Sequence, residues 1–282
     1  MTVYEIITDR IIQALEKGEI PWKKPWNVRP PMNYVSKKAY RGINIILLAM
    51  QSRTTPYWVS YKQAQALGGN IREGEKATPV VFWKWNKIET EVIEEDETKK
   101  EVKKAPILRY YNVFNLDQTE GIEIPKEGID FKPIEKCEQI VAGYPKGPVM
   151  KVGGDRACYD PKADEITAPI KESFNSPESY YATLFHEMTH STGHTARLNR
   201  EGVNDPIRFG SEPYAKEELV AEIGASFLSA EAGVNPVTEE NTVAYIQNWL
   251  KALKNDKKLV IYASAQAQKA VDHILNRQIE AK

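Results

Sequence analysis

Apolar positions recur at helical spacing from the first residues. In VYEIITDRIIQALEKG, Val3, Ile6, Ile7, Ile11, Ile12 and Leu15 form one stripe, and Gly18 supplies a stop. The prolines of IPWKKPW break the pattern. RGINIILLAMQS is a short apolar run that predicts a buried helix. SYKQAQALGG combines a serine N-cap with a glycine stop, predicting a further short helix. TPVVFWKWNKI and APILRYYNVFNL read as partner strands. The charged block between them (89–104) reads as a polar hairpin tip or a disordered loop. IPKEGIDFKPI, with two prolines and a glycine, marks a boundary that divides the chain into residues 1–128 and 129–282.

The second part opens with a helical pattern in IEKCEQIVAGYP. PVMKV, RACYD and EITAPI follow as strands, the last two joined by the turn DPKAD. SPESYYATLFHEMTHSTGH predicts a long helix, with Ser176 as N-cap and Pro177 in the first turn. Further helices are expected at about 214–232, 238–254 and 257–277. A small sheet followed by helices is an α+β order rather than an alternating β/α one.

Composition adds bounds. With 282 residues, 41% hydrophobic and 27% charged, the chain has the makeup of an ordinary soluble protein. No apolar run approaches the roughly 18 residues of a membrane span, and the start lacks the pattern of a secretory signal. The two cysteines, Cys137 and Cys158, have no metal-site spacing; two buried free thiols in a cytoplasmic protein are expected rather than a disulfide. The net charge of −1 conceals an asymmetry, because residues 1–88 hold fourteen Lys/Arg against six Asp/Glu. A basic first part suits a polyanionic partner or an ordinary solvated face.

The chemistry concentrates in FHEMTHSTGH. His186 and His190 are one helical turn apart and share a face, so both imidazoles can reach one ion. Glu187 lies on the adjacent strip, placed to act as general base on a water polarised by that ion. Three of the four histidines fall within nine residues. A third ligand is required. The pattern HExxHxxGxxH fails at its last position, where Ala196 stands. His194 comes two places too early for it, and on a straight helix it lies about 12 Å from His186, so it is expected beside the metal shell, toward substrate, or as a polar helix cap. The later segment EELVAE offers Glu218 and Glu222, one turn apart. It resembles the gluzincin pattern, thermolysin-like and closer still to the angiotensin-converting-enzyme group, which implies Glu218 as ligand and Glu222 as the acid orienting a ligand histidine. Glu217 departs from the asparagine of that pattern, so Glu222 as ligand stays open. Tyr214, one turn before Glu218, is either an oxyanion donor or a packing residue. Two histidines and a carboxylate suit zinc, manganese or another divalent ion.

Five of the six tryptophans lie within residues 22–85, interleaved with basic residues. Trp22, Lys23, Lys24, Trp26, Arg41, Trp58, Lys62, Trp83, Lys84 and Trp85 form a set suited to single-stranded nucleic acid, with bases stacking on rings and cations following phosphates. A tryptophan-rich core with a basic rim has the same composition. No acidic cluster in residues 1–130 resembles a two-metal polymerase site.

Both parts resemble one family. YEIITDRIIQALEKGEIPWKKPW, YRGINIILLAM and YYNVFNLDQTEGI are similar to the N-terminal domain of ArdC-type antirestriction proteins, shared with TraC-type plasmid primases. GGDRACYDPKADEITAP, SYYATLFHEMTHSTGH, RLNR and FGSEPYAKEELVAEIGASFLSAEAG resemble the zincin-like metallopeptidase domain of the same proteins. The block at 89–104 looks like a variable insertion. The resemblance implies a cytoplasmic protein of a mobile genetic element, with an N-terminal single-stranded DNA-binding domain, a C-terminal zincin-like domain holding a divalent metal, and a role in protecting incoming DNA from host restriction. A metalloprotease acting on a host protein, with the first half as recognition domain and the edge strand EITAPI aligning an extended substrate, is the alternative.

Overall fold

The structure, a computed structural model, describes residues 1–23, 30–51, 53–94, 97–125, 133–154, 156–174, 176–203, 212–234 and 242–278. Helix α1 (Val3–Glu16) starts at a reciprocal cap. The Thr2 hydroxyl accepts from the Glu5 N–H, and the Glu5 carboxylate accepts from the Thr2 N–H. Ile7, Ile11, Ile12 and Leu15 of the expected stripe are buried, joined by Thr8 and Ala14, while Val3 and Ile6 are half-buried. The apolar run forms α2 (Ile43–Ala49), and Ser60 caps α3 (Tyr61–Ala66). Strands β1 (Met32–Asn33), β2 (Tyr57–Val59), β4 (Thr78–Glu94) and β5 (Glu97–Asn115) make a sheet of order β1-β2-β5-β4. A minor ladder pairs β3 (Asn70–Ile71) with β6 (Thr119–Glu120). Asn44 of α2 clamps β4, its amide donating to the Val81 carbonyl at 2.8 Å and accepting from the Val81 N–H at 2.7 Å.

Residues 95 and 96 of the block at 89–104 lie outside the described residues; the rest is paired strand, in keeping with the polar hairpin expected there rather than with a disordered loop. The antiparallel register of β4 and β5 runs unbroken from Thr78↔Val113 to Glu94↔Glu97, setting Glu91 opposite Lys100. Polar residues are accepted there because each added pair extends the ladder.

The second part holds α4 (Pro133–Ala142) and a three-stranded sheet of β7 (Val149–Val152), β8 (Cys158–Asp160) and β9 (Glu165–Ala168). The order is β7-β9-β8, with β7 parallel and β8 antiparallel to β9. This corrects one expectation: EITAPI is the central strand, and both of its edges are already paired. Four helices complete the chain: α5 (Pro177–Ser191), α6 (Glu212–Ala232), α7 (Thr242–Asn255) and α8 (Leu259–Ile274).

The two parts share one core. Ile7, Ile11 and Leu15 of α1, Trp22, and Ile46 of α2 belong to the same buried cluster as Leu219, Ile223, Trp249, Leu253, Val260 and Val271. Hydrogen bonds reinforce the junction, Thr8 Oγ1 donating to the Lys257 carbonyl at 2.6 Å and the Gly42 N–H to Gln268 at 3.0 Å. The expected division at 128/129 falls in 126–132, outside the described residues. Among the described residues no helix is long and apolar enough to cross a membrane. Both cysteines are free thiols; Cys137 is buried, which pushes its thiol up to about 12, but Cys158 is exposed, against expectation.

Candidate metal centre

Helix α5 begins where Ser176 accepts from the Ser179 N–H and Pro177 takes the first position. Tyr180, Tyr181, Leu184, Phe185 and Met188 bury one face. That packing leaves His186 and His190 half-buried on another. Helix α6 can approach closely because Gly224 faces Thr189; a Cβ there would meet the Thr189 Cγ2 at 2.4 Å. The crossing carries the first half of α6 over the histidines.

The result is a compact donor group. His186 Nε2 and His190 Nε2 are 3.1 Å apart. Glu218 Oε2 lies 3.5 Å from His186 Nε2, and its Oε1 lies 3.5 Å from His190 Nε2. A tetrahedral ion with bonds of about 2.0–2.1 Å needs donors roughly 3.3 Å apart. The two imidazole nitrogens meet that spacing, and Glu218 brings one oxygen toward each of them, so the three side chains could hold one divalent cation. Among the described residues these three form the one group of ligating side chains this close together. Glu222 stands behind His186, with Oε1 3.9 Å from its Nδ1. EELVAE thus places Glu218 at the shared point and Glu222 one turn back.

Two contributors are absent from the sequence reading. Glu217 Oε1 lies 3.2 Å from His190 Nδ1, on the side of the ring away from Glu218. Arg200 bonds both oxygens of Glu217, at 3.0 and 2.6 Å. The signals were the departure from asparagine at 217 and the second arginine of RLNR. Burial works to lower the His190 pKa, but hydrogen bonds to Glu217 and Glu218 outweigh it and push it up to about 10. Burial works to raise Glu217 and Glu218, and their histidine and arginine partners outweigh it, so both are held below the usual carboxylate range. Protonated His190 and Arg200 thus balance the two ionised carboxylates of Glu217 and Glu218.

An open cleft of about 500 Å³ adjoins the group. His186, Glu187, His190, Tyr214, Glu217 and Glu218 form one side, and Cys158 and Tyr159 of β8 border it. The strand along the cleft is therefore β8, an edge strand, rather than EITAPI. His194 is not drawn into the group. The helix ends at Ser191, and the following turn requires Gly193, where a Cβ would meet Val203 Cγ2 at 2.4 Å. His194 Nδ1 then accepts from the Ala196 N–H at 3.2 Å and lies 4.0 Å from Asp164. It shapes the turn.

The proposed nucleic-acid residues divide. Trp22 and Trp58 are core side chains, 0% and 2% exposed, and cannot stack on a base. Arg41 is paired with Asp272 of α8. Lys62 is exposed. Lys24 and Trp26 lie outside the described residues, as does the Lys23 side chain. Trp83 and Trp85 are 49% and 58% exposed on β4, with Lys84 exposed between them. Phe82, Tyr110 and Tyr111, which the composition did not single out, are exposed on the same hairpin.

Residues 1–114 match the family model for the N-terminal domain of anti-restriction factor ArdC, and residues 135–266 match that for the zincin-like metallopeptidase. The crystal structure of antirestriction protein ArdC from plasmid R388 is 38% identical in its metal-free form and 37% in its Mn(II)-bound form, with TM-scores of 0.77 and 0.78. Each covers 98% of both chains. Protein y4eC of Sinorhizobium fredii is 32% identical over 99% of this chain and 94% of its own. Two DNA primase TraC proteins of Escherichia coli are 36% and 37% identical over 96% of this chain, which spans only 20% and 27% of their length. Two α+β domains, matched end to end at this identity, make the chain a member of the ArdC antirestriction family.

Proposed function

We propose that the chain is an antirestriction factor that binds single-stranded DNA through the β4–β5 hairpin and holds a divalent metal at His186, His190 and Glu218. The observation that carries the DNA reading is the exposed stem of the hairpin. On one face the register places Trp83 opposite Leu108 and Trp85 opposite Pro106. On the other it places Phe82 opposite Arg109 and Lys84 opposite Ile107, and Phe82 meets Tyr111 edge-on at 5.8 Å. Lys84 and Arg109 share the face of the exposed rings Phe82 and Tyr111, while Trp83 and Trp85 offer stacking surface on the opposite face. Rings beside cations are the elements of a sequence-tolerant single-strand site. Titrating the protein with single-stranded and duplex oligonucleotides over a salt series tests this. Tighter single-strand binding with a negative salt slope is expected; equal affinity for the two, or none, rejects it.

The second reading, a peptidase that acts on a host protein, is supported by Glu187 and the edge strand β8 sharing one cleft with the donor group. A bound divalent ion would supply Lewis-acid polarisation there. Glu187 would take a proton from the attacking water and return it to the leaving amine, and β8 would align an extended chain by strand addition. Glu187→Gln separates the two readings. Protection of incoming DNA that survives this change does not depend on peptide cleavage; protection that disappears with DNA affinity intact does.

A further inference from the structure

The turn that follows α5 carries two arginines, Arg197 and Arg200, whose side chains lead to different places. Arg197 donates from Nε to the Ser191 carbonyl at the end of α5 at 2.7 Å and reaches on to Asp164 and Tyr159 Oη of the β8–β9 hairpin and to the Lys146 carbonyl before β7. Arg200 turns the other way, beneath the donor group. Its Nε donates to Glu217 Oε2 at 3.0 Å and its Nη2 to Glu217 Oε1 at 2.6 Å. Its Nη1 donates to Thr192 Oγ1 at 2.5 Å, and its Nη2 also to the Thr189 carbonyl at 2.8 Å. Arg200 and Glu217 are each only 6% exposed.

From this geometry we infer that Arg200 is a positioning residue of the metal centre, acting through Glu217 on His190. The inference rests on the metal reading proposed above. A carboxylate with one bonded oxygen can swivel; Glu217 has both oxygens held by a single planar guanidinium, so its plane is set. The remaining capacity of Oε1 is then directed at His190 Nδ1. A proton on that nitrogen donates to Glu217, which leaves the Nε2 lone pair facing His186 Nε2 and Glu218. The same guanidinium ties the last turn of α5 through Thr189 and Thr192, so the backbone carrying His190 and the carboxylate behind its ring are fixed by one group. Lysine cannot reproduce this, because an ammonium has no fork with which to hold two oxygens in a plane.

The test compares wild type, Arg200→Lys, the double variant Arg200→Met with Glu217→Leu, and Arg197→Lys. Replacing both members of a buried pair by apolar residues of similar size avoids stranding a charge, so the double variant is expected to fold. Affinity for Zn(II) and the visible absorption of the Co(II)-loaded protein are measured by titration of metal-stripped full-length chain. Wild type binds. The double variant loses about 10–100-fold in affinity and shows an altered Co(II) band. Arg200→Lys loses affinity to a smaller extent, and Arg197→Lys keeps both the affinity and the band of wild type. A folded double variant that matches wild type in both readouts overturns the inference while leaving the metal reading intact; if the double variant does not fold, Arg200→Lys with unchanged affinity and band does the same. Equal loss in Arg197→Lys also overturns it, because the effect then belongs to the turn rather than to Glu217. Absence of binding by wild type removes the metal reading, and the inference with it.

Discussion

The indole of Trp22 meets that of Trp249 edge-on, with ring centroids 5.1 Å apart and planes inclined by 73°. The first ring belongs to the region matching the ArdC N-terminal domain, the second to the zincin-like region. Both are fully buried, and the Trp22 backbone carbonyl accepts from the Ser226 hydroxyl of α6. The contact lies inside the cluster that joins α1 and α2 to α6, α7 and α8. Two sequence domains therefore rest on one core. Trp22→Ala should destabilise the whole chain by about 3–5 kcal/mol, since it removes a large buried ring and leaves a cavity. Thermal unfolding followed by far-ultraviolet circular dichroism is expected to show a single transition at lower temperature. Two well-separated transitions, with the zincin-like region unaffected, would contradict this.

That junction also shows where sequence reasoning stops. Local signals were legible: the stripe of α1, the Ser176 and Pro177 start of α5, and the HExxH pair were all encoded within one or two turns. Composition could not sort the tryptophans, because a ring that stacks on a base and a ring that fills a core have the same chemistry. Trp22 and Trp58 went inside, and Trp83 and Trp85 stayed out. Strand order was equally hidden, since β9 inserts between β7 and β8 and displaces EITAPI from the edge. The choice among Glu217, Glu218 and Glu222 depends on how α6 crosses α5, which the close approach of Gly224 to Thr189 sets. Arg200 reaches Glu217 across 17 positions. No window of local sequence contains that contact.

The three carboxylates around the histidines should separate by metal content. Glu218→Ala removes a donor and is expected to abolish stoichiometric Zn(II) binding. Glu222→Ala removes only a group behind His186, 3.9 Å from its Nδ1, and should cost at most about 10–100-fold. Glu187→Gln should leave metal content at the wild-type level. Elemental analysis of the purified variants reads all three. Metal lost from Glu222→Ala but retained by Glu218→Ala would reverse the ligand assignment.

Metal binding should consume base. In the metal-free protein the His190 pKa is raised to about 10. A raised value means that the bound proton stabilises the metal-free fold fully below the ordinary histidine pKa of about 6.5, and that this contribution is lost as pH climbs through about 10. A metal takes only the neutral imidazole, so binding within this window releases the proton. Apparent affinity should thus rise by about tenfold per pH unit between roughly 7 and 9. Glu218 does not titrate in this range, because its pKa is depressed. Calorimetric titration in two buffers of different ionisation enthalpy at pH 7.5 should give different observed heats. Identical heats would show that His190 is already neutral.

The hairpin prediction turns on separating DNA binding from stability. Trp83→Ala and Trp85→Ala alter rings that are about half exposed, so each should cost about 1–2 kcal/mol of unfolding free energy, less than a buried ring. Each should also cost about 1–3 kcal/mol in single-strand affinity if a base stacks on the ring. Lys84→Gln and Arg109→Gln act differently. They should lower the salt dependence, by about 0.7 in the log–log slope for each phosphate left without its cation, with little change in base preference. Trp58→Ala serves as the contrast, because a ring 2% exposed should reduce stability strongly and affinity only through unfolding. Fluorescence anisotropy with a labelled oligothymidine, run beside a thermal melt of each variant, reads both quantities. An affinity that merely tracks stability across the set would remove the hairpin as the DNA-binding surface.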